Sequence, residues 1–385
     1  MSEVTTLDFE LSDDIKAVRD LARSFAENEI RPVVSHYDET QEFPAEIFKK
    51  LGELGFLGIL TPSEYGGSGM GAQEYAVIVE EIARVCPAIA LGVAAHNGLC
   101  SGHITRFGSE EIKQKYLPRL ASGDTIGAWG LTEPGSGSDA GGMLTTAKRD
   151  GDFYVINGAK NFITHGNVGD IAVIMAVTGE GKRGISAFAV DKSMEGFVAS
   201  KKENKIGMRC SDTASLTFDN VRVPAGHLLG NEGEGFVQAL QILDGGRISI
   251  AALSVGLAQG SLDASLKYAV ERRQFGKQLA QMQAIQFKLA DMSVNVDAAR
   301  ALTYRAAWLR DNGRNYTLAA SQAKLFASEM CVRAAEDAVQ IHGGYGYIKE
   351  YPVEKLWRDS KLLTIGEGTS EVQRMVIART VLAEV

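Results

Sequence analysis

The chain is poor in the residues that tie a protein to several large classes. Among 385 residues there are four cysteines, Cys86, Cys100, Cys210 and Cys331, with no C-x-x-C spacing and with apolar or mixed neighbours. They read as reduced packing residues and place the chain in a reducing compartment. Six histidines show no metal-like spacing, so no metal site is expected. Long basic runs are missing and the net charge is -8, which argues against a nucleic-acid surface, because phosphate binding needs clustered Lys and Arg. No apolar run approaches membrane-spanning length. The segment Met1 to Asp8 carries acid instead of the basic residues of a signal or transit peptide. The expectation is a cytoplasmic protein without membrane insertion, or a mitochondrial-matrix protein if the chain is a processed form.

Proline is scarce as well, with eight in all and none from Ala225 to Tyr351. Nothing there breaks a helix, and Phe236, Leu240, Leu243, Ile250, Leu253 and Leu257 keep helical spacing, so long bundle helices are predicted. Hydrophobic residues make up 45% and charged ones 23%, the balance of a globular chain large enough for two or three packed units. Residues 12 to 125 also read as helical. Ile15, Val18, Leu21, Ala22, Phe25 and Ile30 recur at three-to-four spacing after Ser12 as N-cap, with Asp13 and Asp14 in the first turn. Pro44 opens another helix that carries Ile47, Phe48 and Leu51 inward.

After residue 125 the period changes. Phe153 to Ile156, Ile171 to Met175, Ile185 to Val190 and Leu216 to Val223 read as strands, and Asn157-Gly158 reads as a hairpin turn because both residues tolerate positive φ. With no internal repeat or low-complexity linker, the composition shifts alone mark boundaries. The fold class is α+β, mostly α: an N-terminal helical domain over 1–125, a small middle β domain over 126–232, and a C-terminal four-helix-bundle domain over 233–385.

Four segments carry chemistry. In Thr364 to Arg374, Glu367 stands between Gly366 and Gly368 just before a helix start, where the glycines let backbone turn closely around a ligand; it reads as a catalytic base. Gly130 to Asp139 is a loop of glycine and hydroxyls that suits a polar, anionic ligand. Its Gly135-Ser136-Gly137 is not a dinucleotide fingerprint, because Gly141 arrives one residue late and no strand-to-helix context surrounds it. The others are Glu271 to Lys277 and Gln340 to Gly346.

In this order, the four segments resemble the acyl-CoA dehydrogenase family of flavoproteins, from about residue 10 to the C-terminus. Pro62 to Gly67, Lys115 to Pro118 and Asn161 to Thr164 add to the resemblance. It implies FAD as cofactor, an acyl-CoA substrate, an electron-transferring flavoprotein as acceptor and a homotetramer. It further implies that Glu367 removes the α proton, that its backbone N–H helps hold the thioester oxygen, and that the flavin N5 receives the β hydrogen. Trp129, Leu131, Thr132, Gly137 and Ser138 would then meet the flavin and pyrophosphate, with Ser138 also near the CoA arm. Phe162, Ile163 and Thr164 would line the ring; many relatives carry tryptophan where this chain has Phe162. Arg272, ahead of Phe275-Gly276, would clamp the pyrophosphate bidentately. Gln283, Gln340, Gly343 and Gly344 would complete the site of a neighbouring subunit, with His342 packed beside the cofactor. Thr369 and Glu371 would lie at the adenosine end.

Some branched-chain relatives carry the base at the position of Gly246. This chain does not, so Asp244 and Arg247 are expected to contact substrate or hold the base loop, with Gly366, Glu367 and Gly368 against the substrate. Straight-chain members usually have tyrosine before the base. Gly366 removes that ring, and Ala95 to Cys100 is similar to the helix of isovaleryl-type enzymes, so a short branched or alicyclic acyl-CoA is the first expectation and a butyryl-CoA-like substrate the second. An oxidase passing electrons to oxygen and a non-catalytic flavin-binding protein are the remaining alternatives. If substrate and base differ by about ten pKa units, roughly 14 kcal/mol must be offset, so donors at the thioester oxygen, a hydride acceptor and burial of Glu367 are all needed.

Overall fold

The computed structural model describes residues 11–181 and 184–383, and the acidic segment Met1 to Asp8 lies outside them. Helix α1 (Asp13–Phe25) begins where the Ser12 hydroxyl accepts from the Ile15 N–H, with Asp13 and Asp14 at the positive end of its dipole. Ile15, Ala22 and Phe25 are buried, whereas Leu21 is 46% exposed. It falls one step off the 15, 18, 22, 25 stripe. After a π turn at Ala26–Ile30 come α2 (Val34–Thr40), α3 (Ala45–Glu53), α4 (Ala72–Val85), α5 (Pro87–Ala94), a second π segment at Ala95–Ser101, α6 (Gly102–Phe107) and α7 (Glu110–Ser122). Pro44 caps α3, which buries Ile47, Phe48 and Leu51 as expected.

The middle strands are β1 (Gly127–Gly130), β2 (Thr146–Asp150), β3 (Phe153–Thr164), β4 (Ile171–Val177), β5 (Ile185–Asp191), β6 (Phe197–Ala199), β7 (Thr213–Pro224) and β8 (Leu228–Leu229). They form one sheet ordered β6-β7-β3-β2-β4-β5-β8, with β1 parallel to β4. Strand β4 is buried on both faces. Val173 and Met175 join one apolar cluster, and Ala172 and Ile174 join another, the period-two alternation of a strand between two layers.

Asn157-Gly158 is not a turn. The β2–β3 hairpin closes at Gly151 and Asp152, and Asn157-Gly158 lies inside β3 at a shift of register against β7. Gly158 has φ 145°, and a Cβ there would sit 2.6 Å from the Thr145 hydroxyl. Asn157 accepts from the Asn220 N–H at 2.9 Å. The dipeptide's tolerance of unusual φ serves a bulge and a close approach instead of a reversal.

The last third holds α8 (Gly235–Glu271), a short hairpin β9 (Arg273–Gln274) and β10 (Lys277–Gln278), then α9 (Gln283–Asp311), α10 (Thr317–His342), α11 (Val353–Leu363) and α12 (Ser370–Leu382). Helices α8, α9 and α10 pack on one another, α11 packs on α10 and α8, and α12 lies on α10. Helix α4 also lies along α8. A Cβ at Gly256 would be 2.1 Å from the Glu80 carbonyl and one at Gly260 would be 2.3 Å from that of Arg84. The first and last thirds therefore share one apolar core that includes Ile78, Ile82, Leu253, Leu257, Ala327 and Met330. By length and composition α8 could cross a membrane, yet 78% of its apolar window is buried inside the protein, as in a core helix. Leu240, on its outer side, is 43% exposed. All four cysteines are free and buried.

Candidate active site

Helix α11 ends at Leu363, and the chain turns back through Gly366, whose N–H donates to the Leu362 carbonyl at 2.8 Å. Glu367 then adopts φ 52° and Gly368 φ 94°. A left-handed non-glycine residue costs about 1 kcal/mol or more and persists only where its surroundings enforce it. Thr369 follows as N-cap of α12, its hydroxyl accepting from the Val372 N–H at 3.3 Å. The turn lays the Glu367 side chain against Gly246 of α8, where a Cβ would stand 1.9 Å from Oε2. Only glycine leaves that space open. Glu367 as a whole is half-buried, but Oε2 is shut off from solvent and has no hydrogen-bond partner. Burial pushes this carboxyl up to about 7, with the Lys324 and Arg247 charges opposing the rise.

Around the carboxyl, Leu99 Cδ2 lies 3.4 Å from the place of a Gly246 Cβ, and the buried Tyr75 hydroxyl donates to the Ala94 carbonyl at 2.8 Å. Arg247 donates to Asp244 and to the Ser321 hydroxyl, and Asp244 accepts from Thr317 at 2.7 Å. These contacts tie α8 to α10. The Arg247 Nε stays buried without a partner.

The glycine-and-hydroxyl loop leaves β1, which packs on the Ala95–Ser101 segment. Trp129 packs on the cluster of Ala95, Leu99 and Ile242, so Leu99 is a neighbour of both β1 and the base. The Trp129 indole N–H donates to His103 Nδ1 at 3.1 Å, and His103 Nε2 bonds Gln238 at 3.0 Å. Leu131 is buried, while Gly137 and Ser138 are exposed. A Cβ at Gly135 or Gly137 would meet nothing within 4 Å. Asn161 donates to the Thr132 carbonyl at 2.8 Å, joining the loop to β3. There Phe162, at φ 57° in a bulge, is 64% exposed, whereas Ile163 is buried and Thr164 pairs with Thr213.

Two supporting residues carried no sequence signal that we read. The Glu133 carboxylate accepts from the Leu144 and Thr145 N–H groups at 2.6 and 3.0 Å and from Lys160 at 2.7 Å. Lys160, wholly buried, also donates to the Leu131 carbonyl at 3.2 Å. Burial pushes its ammonium down to about 8. A Glu and a Lys so far apart in sequence show no local pattern.

A second group lies elsewhere. Arg272, Phe275, Gln283, Gln340, Gly343 and Gly344 gather around the C-terminal ends of α8 and α10 and the start of α9. A cleft of about 470 Å³ there is lined in part by Tyr268, Arg272, His342, Gly343, Gly344 and Tyr345. The Arg272 guanidinium lies over the Tyr345 ring at 5.3 Å, and His342 stacks on Tyr268 at 4.2 Å. Phe275, at φ 51° in the β9–β10 turn, is 95% exposed. Along the unbroken helix α8 from Gly246, Arg272 stands about 39 Å away at about 1.5 Å per residue. The chain does not bring these residues to its own Glu367. Thr369 and the exposed Glu371 stay with the base loop. Among the described residues, no cluster of three or more His, Cys, Asp or Glu could hold a metal ion.

These three blocks match three successive family descriptions: acyl-CoA dehydrogenase N-terminal domain at residues 12–124, middle domain at 128–221 and C-terminal domain at 233–382. The chain belongs to the acyl-CoA dehydrogenase family. It is 52% identical to the probable acyl-CoA dehydrogenase YngJ of Bacillus subtilis over 98% of this chain and 100% of that one. It is 46% identical to a short-chain specific acyl-CoA dehydrogenase of Clostridium acetobutylicum over 97% and 99%. The solved butyryl-CoA dehydrogenase of Megasphaera elsdenii superposes with a TM-score of 0.96 at 41% identity, covering 98% and 100%. The protein is thus an FAD-dependent oxidoreductase acting on CH–CH groups. Its residues offer features that suit such a cofactor: an exposed aromatic ring on a bulge at Phe162, loop glycines at 135 and 137 facing open space, and a buried Glu367 oxygen without a partner.

Proposed function

We propose that the protein removes the α proton and β hydride of a short acyl-CoA, with Glu367 as base, to give the 2-enoyl-CoA. The observation that carries this reading is the buried, unpartnered Glu367 Oε2, raised to about 7, where a carboxyl is matched to proton transfer near neutral pH. In this reading the Glu367 carboxylate takes the α proton and its backbone N–H donates to the thioester oxygen, with Asp244, Arg247, Gly366 and Gly368 bordering the acyl group. Bound FAD supplies the hydride acceptor. Trp129, Leu131, Thr132, Gly137, Ser138, Phe162, Ile163, Thr164, Thr369 and Glu371 would hold it in the same chain, and Ser138 would also meet the CoA arm. Arg272, Phe275, Gln283, Gln340, Gly343 and Gly344 would hold the FAD of a neighbouring subunit in a homotetramer. The proposed division of the chain falls near residues 125 and 232, and the proposed location is the cytoplasm.

An electron-transferring flavoprotein is the proposed acceptor. A relative 47% identical, from Acetobacterium woodii, is named a subunit of a caffeyl-CoA reductase-Etf complex, which supports such a partner. For the acyl group, Gly366 leaves room for a branch: the three atoms nearest to a Cβ there all belong to Leu362, at 3.6 to 3.9 Å. The short-chain and butyryl names among the relatives support a straight substrate as the second reading. Gly366→Tyr separates the two. It should lower kcat/KM for isobutyryl- or isovaleryl-CoA about tenfold more than for butyryl-CoA, and equal losses would remove the preference for a branch. The reaction itself is tested by anaerobic titration of the purified protein with a panel of acyl-CoA thioesters. Bleaching of the flavin by short members supports the proposal, and no bleaching by any of them refutes it.

A further inference from the structure

Lys324 is a fully buried lysine on α10, and a buried ammonium is kept only where it is paired or used. Its Nζ donates to the Gly368 carbonyl at 2.7 Å, one residue past the base. Gln373 Nε2 reaches the same carbonyl at 3.0 Å and that of Glu367 at 3.4 Å. These donors fasten the two left-handed residues of the turn from the side of α10 and α12. Among the described residues, no carboxylate lies within ion-pair distance of Lys324, whereas Arg247, the other cation beside the base, is paired with Asp244. Of the two cations that act on the Glu367 carboxyl, Lys324 is thus the one without a carboxylate partner. Burial pushes that ammonium down to about 8, while Glu367 acts to raise it.

Resting on the reading of Glu367 as base, we propose that Lys324 is its positioning residue, fastening the turn through the Gly368 carbonyl and supplying the charge that favours the ionised carboxyl. The groups facing this pair are Asp244 and Arg247 from α8, Tyr75 from α4, Arg310 from α9, Tyr316 just before α10, Glu329 from α10 and Glu371 from α12. Removing the Lys324 cation leaves burial opposed by Arg247 alone, so the base holds its proton to higher pH.

The test compares FAD-loaded Lys324→Gln, Lys324→Arg and Lys324→Met with the parent in kcat/KM against pH, using butyryl-CoA. For Lys324→Gln the acid limb should move up by about one unit, so that activity falls about tenfold near pH 6 and recovers above about pH 8.5. Lys324→Arg should keep the limb near its original place. Lys324→Met, lacking charge and donor, should lose about tenfold or more at every pH. If it does not accumulate with FAD, the Gln and Arg variants decide alone. A readout independent of turnover is the Tm of the holoenzyme against pH. Stability lost as Glu367 ionises, between its ordinary value and about 7 in the parent, should be lost over a window extended upward in Lys324→Gln. An acid limb and a Tm profile that do not move in Lys324→Gln would overturn the proposal. Failure of the base assignment shows differently, as turnover surviving in Glu367→Gln.

Discussion

Glu367→Gln is expected to give a yellow, FAD-loaded protein that neither turns over nor bleaches with an acyl-CoA, with kcat down by about 10³-fold or more. The amide keeps the shape of the carboxyl and removes only its capacity to take a proton. In the parent, kcat/KM should rise with pH and level off above about 7, the value to which burial pushes the carboxyl, because the ionised form is the competent base. The same shift has a stability sign. The folded value lies above the ordinary one of 4.5, so the contribution is present at low pH and is lost as pH rises through about 7. An ionised Glu367 then costs the fold on the order of 3 kcal/mol. Glu367→Gln should therefore melt higher than the parent at pH 8 and show little advantage at pH 4. Substantial turnover in the variant would end the assignment.

The second large effect is expected at Gly246. Its replacement by Ala sets a methyl carbon 1.9 Å from Oε2, and the atom that must yield is the end of a flexible side chain, not backbone. The fold and FAD content should survive while the carboxyl is displaced by an ångström or more, a misplacement that costs about 100-fold in turnover. The short distance also says that a carboxylate projecting from α8 would reach the same space. Gly246→Glu combined with Glu367→Gly should exceed Glu367→Gly alone by tenfold or more, roughly 1.4 kcal/mol of barrier. Unimpaired Gly246→Ala, measured with full flavin content, would show that the carboxyl does not work where it stands.

The helices and strands were legible because burial imposes its period on sequence: Ile15, Ala22 and Phe25 face the core in α1, and β4 alternates between two layers. Glu367 stands out in the sequence by its flanking glycines and Gly246 by the family resemblance, and the structure sets the two against each other. Turn chemistry misled at Asn157-Gly158, since positive φ suits a bulge as well as a hairpin. The two-residue turn with both residues left-handed is Phe275-Gly276, where phenylalanine hides the signal. Glu133, Lys160 and Lys324 could not be read, because each acts through a partner distant in sequence, and a lysine in Ser321 to Ser328 looks like a polar break in an apolar stripe. The reach of Arg272 was equally hidden until the unbroken length of α8 was seen.

That length has a consequence for stoichiometry. A rigid rod with the base contact about a third of the way along it and a guanidinium about 39 Å further on cannot fold both onto a single dinucleotide. On the proposed reading each chain donates one half of two different cofactor sites, so flavin retention becomes a property of the assembled oligomer, and dilution or an interface lesion would release the yellow colour before any helix melts.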